Sequence, residues 1–154
     1  MKLLRALPVL ALAAVFAAGC SSSDQGPEID TITLDDLIGS WGATSQIYTN
    51  KANTGQSFDL VANGGTTHIT VLAGGGVRTW LTLGDFSDEW DAQLSMSGNT
   101  LTATPVESAR GVNHFTFTLE GGVLTLINED DSFDFTLQGG PEVPATVKVV
   151  FVPR

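Results

Sequence analysis

"HFTFTLEGGVLTLINEDDSFDFTL", residues 114–137, decides the fold class. Apolar side chains recur at every second position: Phe115, Phe117 and Leu119, then Leu124 and Leu126, then Phe133, Phe135 and Leu137. A period of two is the signature of extended backbone, whose side chains alternate between faces. The intervening positions are Thr116, Thr118, Thr125, Asp134 and Thr136. One face is therefore apolar and the other polar, as in antiparallel strands with one wet side. Gly121-Gly122 and the polar run 128–131 read as turns, which predicts three strands here. Val147, Val149 and Phe151 continue the pattern.

Shorter runs of the same kind precede this stretch, at 41–48, 58–62, 66–72, 77–83, 90–96 and 101–104. Turn residues separate nearly all of them, including Gly64-Gly65, the triplet 74–76 and Gly98-Asn99. No segment between strands is long enough for a crossover helix, so parallel pairing is not expected. A sandwich would show longer connections between sheets. Sequential hairpins favour an up-and-down barrel, which closes and leaves no free edge. The predicted fold is all-β, an antiparallel barrel of about 8–10 strands. A short helical turn at 33–37 should precede it, with Thr33 as N-cap, Asp35 and Asp36 at its positive end, and Gly39 as its stop.

The first nineteen residues belong to no fold. Lys2 and Arg5 form a positive start, and 7–18 is an apolar run too short to span a bilayer comfortably. Cys20 follows and is the only cysteine, so it cannot form an internal disulfide. Ala17-Ala18-Gly19-Cys20 resembles the lipobox of bacterial lipoproteins. The resemblance implies cleavage before Cys20, lipidation of its sulfur with further acylation such as palmitate, and anchorage in the cell envelope. Two or more acyl chains anchor stably where one does not. Ser21 in place of aspartate after the cysteine resembles an outer-membrane address. Residues 20–32 are polar and read as the lipidated cysteine with a flexible tether, leaving 33–154 as the barrel domain.

"GSW" at 39–41, after a helical turn and before a strand meander, resembles the opening of the lipocalins. "LSMSGNTLTATP" at 94–105 is similar to a hairpin of bacterial lipocalin-like lipoproteins. The resemblance implies that the turn plugs one end of the barrel, that Gly39 bends the chain, and that Trp41 lies across the plug. It also implies a basic residue stacked on the indole. Arg154 fits, because first and last strands are neighbours in a closed barrel. Lys148 is the fallback.

The formal charge of −10, with seven basic residues against seventeen acidic, excludes a nucleic-acid partner for want of a basic stripe. No catalytic motif is present, so no enzyme and no cofactor are expected. His68 and His114 alternate with apolar neighbours and should face outward, apart from any metal site. The acidic runs 85–91 and 128–134 read as solvated hairpin tips. The expected function is binding of a small hydrophobic or amphipathic molecule inside the barrel. The inward residues proposed to contact it are Phe58, Trp90, Phe115, Phe117, Phe133 and Phe135. Arg78 joins them if a bulge near 74–76 flips its register. The alternative is a barrel filled by these side chains, serving as an envelope structural or protein-interaction module.

Overall fold

The computed structural model describes residues 32–154. The expected signal segment, the expected lipidation site Cys20 and the expected tether up to residue 31 lie outside the described residues. A 3₁₀ turn at Leu34–Leu37 leads into nine strands. These are β1 (Gly39–Asn50), β2 (Ser57–Asp59), β3 (Thr66–Val71), β4 (Gly76–Leu83), β5 (Phe86–Ser97), β6 (Thr100–Pro105), β7 (Asn113–Glu120), β8 (Val123–Phe133) and β9 (Val143–Pro153). All pairings are antiparallel, and each strand from β3 to β8 pairs with the next. β1 pairs with β3 on one side and with β9 on the other, which closes an eight-stranded barrel. β2 is an extra strand laid on the far half of β1.

The expected barrel, its meander order and its opening turn are all present. The turn begins as its sequence suggests: the Asp36 carboxylate accepts the Thr33 N–H at 2.7 Å and the Thr33 hydroxyl at 2.8 Å. Gly39 has φ +142°, a backbone setting that L side chains rarely adopt, and it turns the chain from plug to strand. Leu37 and Trp41 are buried there, and the Trp41 Nε1–H donates to the Leu37 carbonyl at 2.9 Å. The plug is thus held by burial and by a hydrogen bond that leaves no buried indole N–H unpaired.

The sequence reading of 128–137 needs correction. The polar run 128–131 is not a turn. β8 continues through it to Phe133, with an irregularity between Asn128 and Asp131. Asn128 and Asp131 pair with Val147 and Ala145, so β8 spends one residue more than β9. This is a bulge, and the Asn128 Oδ1 accepts the Asp130 N–H at 2.9 Å across it. The extra residue switches parity, so Leu124, Leu126 and Asn128 point inward before it, and Asp131 and Phe133 after it. Phe135 and Leu137 are not in a strand. The Asp134 carboxylate accepts the N–H groups of Thr136 (2.8 Å) and Gly140 (2.7 Å), and this winds the chain into a loop. The alternation that carried the reading was real, but side-chain-to-backbone bonding outcompeted strand pairing there.

Candidate functional site

The interior changes character along the barrel axis. At the plugged end the inward side chains Val77, Leu94, Leu101, Phe117, Leu124 and Phe151 are buried in one core cluster. At the other end Leu81, Leu83, Trp90, Phe133 and Val143 share the inward phase but are only half-buried, and none belongs to that cluster. The inward face is therefore partly exposed at the end opposite the plug, here termed the cup. Four large apolar residues stand exposed around this mouth, Phe86 at the start of β5 and Val106, Val112 and Leu137 on loops, at 49–75 % exposure; Ile38 and Leu72 are exposed at the plugged end.

Polar groups form the floor between cup and core. Gln46, Thr67, Thr79 and Asn128 are buried. Gln46 Nε2 donates to the Tyr48 hydroxyl at 2.6 Å, while its Oε1 accepts the Thr67 hydroxyl at 2.5 Å. Asn128 Nδ2 donates to Asn113 Oδ1 at 3.3 Å. These buried amides and hydroxyls thus satisfy one another inside the barrel.

Two clusters frame the mouth. On one side Phe133 stacks on Tyr48, with centroids 4.1 Å apart, and contacts Phe58 at 5.3 Å and Phe135 at 5.0 Å. On the other side the 106–112 loop carries Arg110 inward. Its guanidinium donates to both Asp88 oxygens, at 2.9 and 2.7 Å, and lies 5.0 Å from the Trp90 ring centroid. This bidentate pair holds the Asp88 carboxyl below the usual carboxylate range. The contact it makes is therefore present above the ordinary carboxylate pKa and lost as pH falls through the depressed value. A hollow of about 310 Å³ lies where this loop meets Trp90, Glu89 and Asp91.

Burial raises the Tyr48 phenol from 10.0 to about 12, reinforced by the charge of Asp131. Burial likewise pushes the Asp131 carboxyl up, with the charge of Glu142 adding to it. The folded state disfavours the Tyr48 phenolate, so stability from the neutral phenol is full below pH 10 and lost as pH rises towards about 12. Tyr48 is the only tyrosine. Ultraviolet titration of the native protein should therefore show a single phenol ionising near pH 12 or together with alkaline unfolding; titration near 10 in folded protein contradicts its burial.

Of the residues expected to contact ligand, Trp90 and Phe133 line the cup, and Phe58 and Phe135 stack on Phe133. Phe115 packs partly buried on the core, and Phe117 lies deep in the packed half. Arg78 does not turn inward. It is exposed on the outer wall, with Nε 2.8 Å from Asp91 and the guanidinium 5.9 Å from the Trp80 ring. Gly74 and Gly75 lie in the β3–β4 turn and Gly76 opens β4, and the pairing of Arg78 with Thr70 and Asp91 shows no register flip.

Arg154 also departs from expectation. Its backbone N–H donates to the Ser40 carbonyl at 2.9 Å, which brings it to the Trp41 end. Its side chain, however, crosses Gly42, whose direction is opposite to that of Trp41 in alternating β1. The indole is on the inside and the guanidinium stem on the outside, so the two do not stack. Lys148 also lies on the outer wall, opposite Ile47 and Ile127. His114 is exposed, and His68 is half-buried on the outer face. Among the described residues no three His, Cys, Asp or Glu side chains converge as a metal site.

Sequence reasoning did not find Gln46, Tyr48, Asp88, Asn128 or Arg110 as parts of the site. Parity could have placed Asp88, two residues before Trp90 on one strand. Arg110 lies in a loop with no period to read. No protein-family model matches the chain, and neither curated proteins nor solved structures give a significant match to it.

Proposed function

We propose that the protein is a lipid-anchored envelope lipoprotein whose lipocalin-like barrel binds a small amphipathic molecule in the cup opposite the plug. The observation that carries this reading is the set of inward apolar side chains left outside the core, ringed by exposed apolar residues at the same end. A barrel of eight strands can be filled by its side chains or hold one ligand. Here the inward side chains are buried in one core at the plugged half and only partly buried at the other. The apolar part of the ligand would lie against Leu81, Trp90 and Phe133, and its polar end against the Gln46–Tyr48–Thr67 floor. Nothing in this role calls for a catalytic group. The anchor would be Cys20, with the outer membrane as its address.

Displacement of an environment-sensitive fluorescent fatty acid from the purified chain tests the cup. Saturable binding, weakened about tenfold or more by Leu81→Arg, is expected, because a charge in an apolar wall is costly. The absence of saturable binding returns the barrel to the filled, protein-interaction reading. Arg110→Ala should speed probe association, since it frees the 106–112 loop from Asp88 and Trp90. Its effect on stability should stay within about 1 kcal/mol, because the pair is about a third exposed. An unchanged association rate would show that the loop is no gate. For the anchor, globomycin-sensitive processing that is abolished by Cys20→Ala is the expected result, and processing indifferent to both refutes it.

A further inference from the structure

Away from the cup, a second hollow of about 310 Å³ lies on the barrel wall near the plugged end. It is bordered by Ser40, His68, Thr70, Trp80 and Arg154. Strand register assembles it: His68 on β3 pairs with Trp80 on β4 and with Gly42 on β1, and Ser40 pairs with Thr70. Gly42 is what admits the arginine. A Cβ at this position would stand 3.2 Å from Arg154 Cδ and 3.5 Å from His68 Nδ1. Without one, the arginine stem lies flat on the strand beside the imidazole.

Lys51, Arg78 and Arg110 are each in salt bridges, whereas Arg154 is in none among the described residues. His68 Nδ1 is buried, and no described group hydrogen-bonds to it. The indole of Trp80 is half-buried on the outer wall, where alternation would ordinarily place a polar side chain. A guanidinium without a counter-ion and an aromatic surface share one concavity with the His68 ring, whose partnerless Nδ1 is itself covered.

We propose that this hollow binds a small organic anion, a phosphate or carboxylate carried on a flat apolar body. The anionic oxygens accept from the Arg154 guanidinium and from the His68 imidazole N–H, and the flat body lies on the Trp80 indole. The hydroxyls of Ser40 and Thr70, hydrogen-bonded to each other at 3.2 Å, stand at the edge, and the one that accepts in that pair keeps its own O–H free to donate. The acidity of the chain does not forbid this. Glu89, opposite Trp80, and Asp91 are both within reach of Arg78, at 3.7 and 2.8 Å. The site is independent of the cup, which lies at the other end of the barrel.

His68 and His114 are the only histidines, and His114 is exposed on β7, bonded to Thr102. The second imidazole is thus an internal reference. Burial, then the charge of Arg154, holds the His68 pKa below the ordinary imidazole value. The groups facing it are Arg154 from the end of β9 and Trp80 from β4, with Glu89 and Arg78 beyond the indole. A bound anion offsets Arg154 and raises the His68 pKa.

The test is a titration of the full chain in mild detergent with inorganic phosphate and with phenyl phosphate, following both imidazoles by NMR. Saturable shifts of His68 alone are expected, with a raised pKa, and phenyl phosphate should bind more tightly than phosphate. Arg154→Gln should weaken both about tenfold or more. Trp80→Leu should remove only the advantage of the phenyl ring. Vesicles of phosphatidylglycerol that displace phenyl phosphate would place the anion on a lipid headgroup, and vesicles that do not would place it on a soluble molecule. Equal, non-saturating shifts of His68 and His114 overturn the proposal, as does unchanged affinity in a folded Arg154→Gln protein. Should that variant fail to fold, the wild-type comparison of the two imidazoles decides alone.

Discussion

Trp41→Ala should cost about 3–5 kcal/mol of folding stability, the range for truncating a buried aromatic residue. The side chain is 6 % exposed and belongs to the core cluster together with Leu37. Truncation removes the indole from the plugged end and leaves a cavity that the strands cannot collapse, since β1 is pinned between β3 and β9. It also strands the Leu37 carbonyl, which accepts the indole N–H. The loss is a large share of the roughly 5–15 kcal/mol that holds a domain of this size together. Trp41→Phe separates the terms, keeping most of the area but not the hydrogen bond, and should cost less. Chemical denaturation followed by circular dichroism measures both. Because the plug is at the end opposite the cup, affinity for the fatty-acid probe in whatever protein remains folded should be unchanged. A loss under about 1 kcal/mol for Trp41→Ala would mean that the turn and indole do not close the barrel.

Phe151→Ala should cost about as much, roughly 3–5 kcal/mol, for a different reason. β9 is the strand that closes the barrel, paired with β8 along one edge and β1 along the other. Phe151 sits in that seam, opposite Ala43 and Leu124, and is 2 % exposed. Ala43 is small, and the β1 bulge between Ala43 and Ser45 follows at once, so nothing nearby can swell into the space. Amide exchange should rise along β1, β8 and β9 before the β4–β5 hairpin opens. A uniform rise across the barrel would argue that the seam is no weaker than the rest.

The barrel was legible because its information is local and repeated. Alternation, glycine turns and the absence of a crossover helix all point to one meander, and the Thr33-to-Gly39 stretch carries its own cap and stop. The errors arose where a side chain competed with the backbone pattern. Asp134 turned an apolar alternation into a loop, and the Asn128 bulge let a polar run stay in a strand. The mouth was legible only in part. Trp90 and Phe133 follow parity, but the partner of Trp90 is Arg110, brought from a loop whose path no period encodes. Arg154 was placed at the right end of the barrel and on the wrong face. Closure fixes which strands meet, but a side chain's face depends on alternation within the strand, and Arg154 follows Gly42 rather than Trp41.

Native mass spectrometry of the full chain, purified under mild conditions, most directly tests whether the end of this barrel opposite the plug is a binding cup. The expected result is a single amphiphile bound per chain, released stoichiometrically by the fluorescent fatty acid and absent from Leu81→Arg. A bare protein mass, with no probe taken up by the folded wild-type chain, would contradict it.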